Sequence, residues 1–426
     1  MRRDSSEPGE ATEQRHDGEA TSWRREVAIV WVAVLIALMG MSLVIPFLPL
    51  YLKQDLGVPE EQTRLWAGWV GGANFFMAAL CAPLWGSLAD RYGRKPMAIR
   101  ALVGLAVAVG LMGFAQNVYQ LFALRMLQGA FGGFVAAAIA LVGTTVPRDR
   151  LGGVLGFVQT AVVGGNLIGP LLGGELSHHF GYRATFQITG GALVVAMLLI
   201  VFLVRERHSP PEGDERRGVV RNVRDLLSVP TLRWVLLAVV CAQTGLMLVN
   251  PQISLFVEEL LPDSRSVERW AGLVTAAPGF ASFLAAPLWG RAGDRRGHAT
   301  VLTLALLGAG LVSPWAAAVS AVWHLVVVRF MLGGFTAAMN PCHHSVVAHQ
   351  VEEHRTAGAF SLLSSAQMLG ACIGPFASGP LAASWGVRPL FPLAGALLLA
   401  AACAVLRVRR LEAQAHRGAP SPAAAE

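Results

Sequence analysis

Charge is scarce in this sequence. Asp, Glu, Lys and Arg make up 14% of its 426 residues and hydrophobic types 54%, where a soluble domain carries about 25% charged residues. The shortfall argues against a soluble globular fold. Lysine is almost missing: Lys53 and Lys95 are the only two, and the remaining positive charge is arginine. The net charge of +7 does not indicate nucleic acid, because the basic residues sit in short segments between apolar runs, where membrane proteins keep their orientation signals. Cysteine is sparse and odd in number. Cys81, Cys241, Cys342, Cys372 and Cys403 all fall inside apolar runs, and no CxxC pair occurs. That argues against a disulfide framework or a cysteine-built metal cluster and leaves them as small hydrophobes. There is no HExxH pattern, and the best grouping with metal-ligand chemistry is His343, His344, His349, Glu352, Glu353 and His354. No metal or cofactor is expected. Residues 1–25 lack the short apolar core and small-residue cleavage site of a signal peptide. They are polar and mixed in charge, and are expected to form a disordered tail.

What is present is a series of apolar runs between residues 27 and 406, each near the 20 or so residues that a helix needs to cross a bilayer. They predict an all-α integral membrane fold of twelve helices. The first six lie near 27–52, 65–89, 97–115, 118–146, 151–177 and 184–204, the second six near 232–257, 269–292, 299–318, 322–348, 356–382 and 390–406. An even number of spans puts both termini on one face. That face collects 26 of the basic residues, among them Arg91, Arg94, Lys95, Arg100, Arg148, Arg150, Arg355 and the series from Arg205 to Arg233. The other face has six: Lys53, Arg64, Arg183, Arg265, Arg269 and Arg388. By the positive-inside rule both termini are cytoplasmic. The expected organisation is a tail over 1–25, a six-helix bundle over 26–205, an arginine-rich linker over 206–230, a second bundle over 231–410 and a tail over 411–426.

The two bundles repeat each other at an offset of 204 or 205 residues. Ala82-Pro83-Leu84-Trp85-Gly86 returns as Ala286-Pro287-Leu288-Trp289-Gly290, and Trp66-Ala67-Gly68 as Trp270-Ala271-Gly272. Asp90-Arg91 and Gly93 return as Asp294-Arg295 and Gly297, Arg125 as Arg329, and Pro46 as Pro251. Gly165, Gly169-Pro170 and Gly181 match Gly370, Gly374-Pro375 and Gly386. Such parallel repeats suit alternating access, in which two halves rock about a central site.

Polar groups inside spans are costly and mark cavities or bundle interiors. Here they concentrate on the second, fourth, fifth, seventh, tenth and eleventh helices: Asn74; Arg125 and Gln128; Gln159 and Asn166; Gln243 and Asn250; Arg329, Asn340, His343 and His344; and Gln367. A polar-lined space between the bundles follows. For any single Asn or Gln the plainer reading is an interhelical hydrogen bond worth about 1 kcal/mol; a buried guanidinium, by contrast, needs a partner. Gly165, Gly169 and Gly173 recur at spacing four on one face of the fifth helix, and Gly370, Gly374 and Ser378 on the eleventh. Small residues so placed let helix backbones approach, and Pro170 and Pro375 favour a bend. Together they predict a hinge at the interface between the bundles.

These motifs resemble those of the major facilitator superfamily, and within it the twelve-helix drug:proton antiporters of bacterial multidrug efflux. Gly86-Ser87-Leu88-Ala89-Asp90-Arg91-Tyr92-Gly93-Arg94-Lys95 fits the superfamily's signature between helices 2 and 3, with a degraded copy from Gly290 to Gly297. Arg125, Gln128 and Gly129 fit the helix 4 signature. Gly156, Gly165, Gly169, Pro170, Gly173 and Gly174 fit the antiporter signature of helix 5. The resemblance implies export of small amphiphilic compounds coupled to protons, by a monomer in the plasma (inner) membrane. It implies that Asp90 and its basic neighbours latch the cytoplasmic ends of the bundles in the outward-facing state, and that Arg125 takes part in proton coupling. One departure stands out: helix 1 carries no membrane-embedded carboxylate, and the nearest acids, Asp90, Glu175, Glu258 and Glu259, lie at span ends. Uptake of a sugar, organic acid or other metabolite is the competing reading within transport. An intramembrane metal enzyme resting on the histidine grouping is a distant one.

Overall fold

A computed structural model of the chain describes residues 8–147, 149–204, 226, 228–261, 266–351 and 356–418. Every regular element among them is helical. The first half begins with α1, Pro8–Leu43, which continues through a 3-10 turn at Ile45–Phe47 into Leu48–Gln54. There follow α2 (Glu60–Tyr92), α3 (Arg94–Met112) and α4 (Val118–Ala130 and Phe134–Thr145). Residues 151–180 form α5 and 182–203 form α6. In the second half α7 is Pro230–Val249, a 3-10 turn at Asn250–Gln252 and Ile253–Leu260. Then come α8 (Val267–Arg296), α9 (His298–Val312), α10 (Val322–Thr336 and Met339–His349), α11 (Thr356–Trp385) and α12 (Leu390–Gly418).

Among the described residues 11 helices are long and apolar enough to cross a membrane, one fewer than the sequence predicts. The difference is Leu151–Leu203, a 53-residue helix that would be about 80 Å long at 1.5 Å per residue, against a hydrocarbon core of about 30 Å. It bends at Gly181, whose φ of +77° is not helical, and so supplies two spans. At the matching place in the second half, Gly386 (φ +82°) turns α11 into α12. The 3-10 turns within α1 and α7 also fall at equivalent prolines, Pro46 and Pro251.

The tails differ from expectation. Helix runs from Pro8, well before residue 27, and continues to Gly418, past residue 411. Both flanks are rich in Ala, Glu, Gln and Arg, which are good helix formers, and extending a formed helix avoids the cost of nucleation. Of the expected linker, residues 206–225 and 227 lie outside the described residues.

Between helices in lipid there is little hydrophobic driving force, so close backbone packing has to hold the bundle. The repeat is realised contact for contact. In the first half Gly165 lies on Leu35, Leu38 and Met39 of α1, and in the second Gly370 lies on Val240, Gln243 and Thr244 of α7. Gly169 meets Met39 and Ser42; Gly374 meets Thr244 and Met247. The small-residue faces therefore pack within their own bundle. This corrects the expected hinge at the bundle interface: residues four apart share one stripe, and α1 or α7 fills it.

The halves meet through α5 against α8 and α2 against α11. There Gly272 packs on the Pro170 carbonyl and Gly174, and Gly68 on Gly379 and the Pro375 carbonyl. All four glycines lie toward the face opposite the termini. A continuous core joins the halves at that face, uniting Val44, Phe47 and Leu50 with Phe256, Val267 and Ala271. Toward the other face the second half keeps a separate core around Leu232, Leu302 and Val405. There Gly86, Gly156 and Gly290 have no neighbour within 4 Å of where a Cβ would stand. The molecule is closed at the face opposite the termini and open at the face that carries them.

Candidate functional site

The open side leads into a cavity of about 680 Å³ between the halves. Gln159 and Val163 of α5 form its first-half wall; Gln243 and Met247 of α7, Phe283 of α8, Asn340 of α10 and Gln367 of α11 belong to the second half. Of the polar residues expected to line such a space, these four amides do, and so does His343 of α10. Gln367 Nε2 donates to Asn340 Oδ1 at 3.2 Å, tying α11 to α10. Among the described residues no carboxylate, lysine or arginine lines the cavity, and His343 is its one titratable side chain.

The other expected cavity residues lie elsewhere. Asn166, two helical turns beyond Gln159, donates from Nδ2 to the Val162 carbonyl of its own helix at 3.0 Å. Asn74 supports α4 with its backbone, since Gly129 sits on its carbonyl just as Gly333 sits on that of Pro278. Gln128 is 1% exposed and Arg125 5%. Arg125 NH1 donates to Gln128 Oε1 at 2.8 Å, and Nε donates to the Val70 carbonyl of α2 at 3.2 Å. Among the described residues no carboxylate pairs with it.

Arg329 is equally buried, at 7%, yet its environment differs. The position equivalent to Gln128 is Leu332. Arg329 turns instead to Asn250, whose Oδ1 accepts from NH2 at 3.1 Å, while its Nε finds no acceptor. Asn250 in turn stands where the first half has Ile45. The duplicated arginines have kept their place and exchanged their partners.

The signature between α2 and α3 forms a tight turn. Gly93 (φ +96°) and Gly297 (φ +85°) hold backbone that L side chains adopt only with strain. Lys95 Nζ donates to the carbonyls of Val201 and Val204 at 2.9 and 2.6 Å, closing the end of α6. That is a tie within one half, where the resemblance implied a latch between halves. The Arg91 guanidinium lies 5.3 Å from the Tyr92 ring centroid. His298 Nε2 lies 3.8 Å from Asp294 Oδ1, and Arg295 is exposed. The side chains of Asp90 and His349 and all of Glu352, Glu353 and His354 lie outside the described residues. His343 is 3% exposed, and neither ring nitrogen has a partner. Among the described residues no three His, Cys, Asp or Glu side chains gather as a metal site.

Sequence reasoning missed the ionic groups at the closed face, treating them only as acids near span ends. Arg269 of α8 makes two bonds to Glu175 of α5, Nε to Oε2 at 2.8 Å and NH2 to Oε1 at 2.7 Å. The Tyr182 hydroxyl of α6 donates to Glu268 Oε1 at 2.8 Å, and His178 Nδ1 stands 3.8 Å from Glu268 Oε2. Lys53 of α1 lies 3.3 Å from Glu258 of α7. Every one of these contacts crosses between the halves. At the end of α1, burial pushes the Asp55 carboxyl above its ordinary range, against the pull of Arg183 at 3.7 Å. A usable signal existed: Lys53 and Glu258 are repeat-equivalent, at an offset of 205. Opposite charges at equivalent positions beside a pseudo-twofold axis face each other.

Exposed ion pairs contribute little singly, so their joint removal is the informative change. The double substitution Lys53→Ala with Arg269→Ala should open the closed face several-fold more often, read as faster maleimide labelling of a cysteine placed at Thr63, buried beside the Lys53–Glu258 pair. Unchanged labelling would mean that the apolar core alone holds that face shut.

Two homologous six-helix bundles, closed together at one face and parted around a cavity at the other, define a membrane carrier of the duplicated, alternating-access class. The profile of the Major Facilitator Superfamily matches residues 30–261 and again 235–425, and the chain belongs to that superfamily. It is 35% identical over 379 residues to the multidrug resistance protein MdtG of Salmonella typhimurium, covering 89% of this chain and 94% of that one. The MdtG protein of Citrobacter koseri is also 35% identical, over 89% and 93% of the two chains. Among solved structures the fold resembles the nucleoside transporter NupG (TM-score 0.77, 11% identity, 90% of this chain and 99% of that one). It also resembles a bacterial homologue of the human lysosomal transporter Spinster in an inward-facing, occupied conformation (TM-score 0.75, 15% identity, 90% and 96%).

Proposed function

We propose that the chain exports small, amphiphilic, toxic compounds by alternating access, driven by antiport of protons. The observation that carries this is the cavity between the halves, amide-bearing and apolar, open on one side of a glycine-packed closure. Its similarity along most of its length to proteins named for multidrug resistance supports the direction and the breadth of substrate. The basic residues gathered on the termini face support a cytoplasmic location for both termini, which makes this conformation inward-facing and ready to load from inside the cell. One chain encloses the cavity, so a monomer suffices. Arg125 is the residue through which we expect proton coupling to act, since it is the buried cation bonded to both α2 and α4.

The test is flux in preloaded right-side-out and inverted vesicles, with a panel of dyes and antibiotics and an imposed pH gradient. Export that follows the gradient is the expected result. Flux indifferent to the gradient, or directed inward, would keep the fold and overturn the efflux reading in favour of a facilitator or importer.

A further inference from the structure

The repeat allows each polar residue of the cavity to be compared with its own counterpart in the other half. Gln243 corresponds to Leu38, Asn340 to Ala136 and Gln367 to Val162. Ser282 and Thr336, which also line the cavity, correspond to Ala78 and Gly132. Ancestrally equivalent walls have diverged, and the hydrogen-bonding groups have accumulated on the second half. On the first half Gln159 is the one amide in the lining.

The two hydroxyls are already committed, Ser282 and Thr336 both donating to the Gly333 carbonyl at 2.8 and 3.1 Å. The amides are not used up. The Gln367–Asn340 bond at 3.2 Å occupies one group of each, leaving an acceptor on Gln367 and donors on Asn340 facing a space that also holds Gln243. An amide offers both a donor and an acceptor and no net charge. Apolar surface comes from Met247, Phe283 and Val163 beside them.

Charge decides the class of ligand. Alternating access requires an intermediate in which the open side closes and water leaves. A charged ligand would then be desolvated without a counter-ion, since among the described residues no carboxylate, lysine or arginine lines the cavity and its one imidazole, His343, is 3% exposed with no acid bonded to it, and an unpaired charge in such a place is heavily penalised. A neutral hydrogen-bonding group is not. We propose that the site selects uncharged amphiphiles, their amide- or hydroxyl-type polar group held by Gln243, Asn340 and Gln367 of the second half and their apolar body against Met247, Phe283 and Val163. This rests on the carrier function proposed above, but it concerns binding and is tested without flux.

The full-length protein in lipid nanodiscs would be titrated with three naphthalene probes that share one body and carry a carboxamide, a sulfonate or a trimethylammonium group, binding being read from probe fluorescence. The carboxamide should bind at least tenfold more tightly than either ion. Gln243→Leu, Asn340→Ala and Gln367→Val, which install the first-half residues, should together remove that preference. Gln367→Glu is the decisive variant, because misfolding cannot produce its expected gain: the trimethylammonium probe should bind several-fold better than to the parent protein. Equal binding of the three probes, no binding of any, or a carboxamide preference that survives the triple substitution would overturn the proposal. Vesicle flux of the same probes tests the export reading separately, since selective binding without gradient-driven export would overturn that reading alone.

Discussion

Arg125→Ala should reduce gradient-driven transport by at least about tenfold while leaving the amount of protein in the membrane within about twofold. An arginine at the centre of a membrane helix costs about 2.5–3.5 kcal/mol to insert on translocon scales, and more by other measures. Its bonds to Gln128 Oε1 and the Val70 carbonyl return about 1.5–3 kcal/mol each, the range for hydrogen bonds to a charged group. The two ranges, about 3–6 kcal/mol for both bonds together and about 2.5–3.5 kcal/mol or more for insertion, overlap. Alanine at this place therefore gains in insertion about what it loses in bonding, and the fold should survive. Arg125→Lys should fail almost as badly in transport, because an ammonium cannot present two donors in a fixed planar fork. Arg329→Ala should be milder for transport, as Arg329 makes one bond, to Asn250, and leaves Nε without an acceptor. Transport assays beside quantitative membrane blots check all three. If abundance falls in step with transport, Arg125 is a folding residue and the coupling role is lost.

What could be read from the sequence was whatever is local or repeated. A span announces itself by length and apolarity, and the twelfth is legible in the sequence even where one helix bends at Gly181 without a break into the next. Duplication exposed Arg125 with Arg329 and the paired glycines, because two independent copies of a motif cannot both be accidents. The helix to which a stripe attaches was not legible. Gly165, Gly169 and Gly173 were correctly placed on one face, but nothing in their spacing says that α1 rather than the opposite bundle fills it. Depth was equally hidden. Gln159 and Asn166 are seven residues apart, nearly the same direction on a helix of 3.6 residues per turn. Yet only Gln159 reaches the cavity, because Asn166 lies about 10 Å further along, toward the face where the halves converge. The closed-face ion pairs belong to one conformation of the molecule, and a sequence encodes all its conformations at once. The latch that the superfamily resemblance attached to Asp90 concerns the opposite state, which explains why the conformation described here is fastened by a different set of residues.

That dependence on conformation makes the glycine crossings the sharpest place to intervene. Gly272→Leu should yield a folded protein held with the normally closed face open, and transport should fall by about 100-fold. A Cβ on Gly272 would stand 2.5 Å from the Pro170 carbonyl oxygen and 3.4 Å from Gly174 Cα, so a leucine cannot fit while α5 and α8 are in contact. Forcing extra methylenes into a packed contact costs about 1–3 kcal/mol. In the alternate state those backbones separate and the cost disappears. A bias near the upper end of that range moves a two-state equilibrium by about 100-fold, since each 1.4 kcal/mol is a factor of ten. The side chain would thus act on the balance between states and not on folding. Gly68→Leu should do the same through α2 and α11, where the Pro375 carbonyl is 2.6 Å from the added Cβ. A cysteine at Thr63, 1% exposed at the closed face, should become reactive to an impermeant maleimide in both variants. Gly86→Leu is the control: nothing stands within 4 Å of its Cβ position in this state, so it should leave Thr63→Cys protected. Protection of that cysteine in Gly272→Leu, in protein that is folded and present in the membrane, would show that α5 and α8 do not need to touch for the face to close.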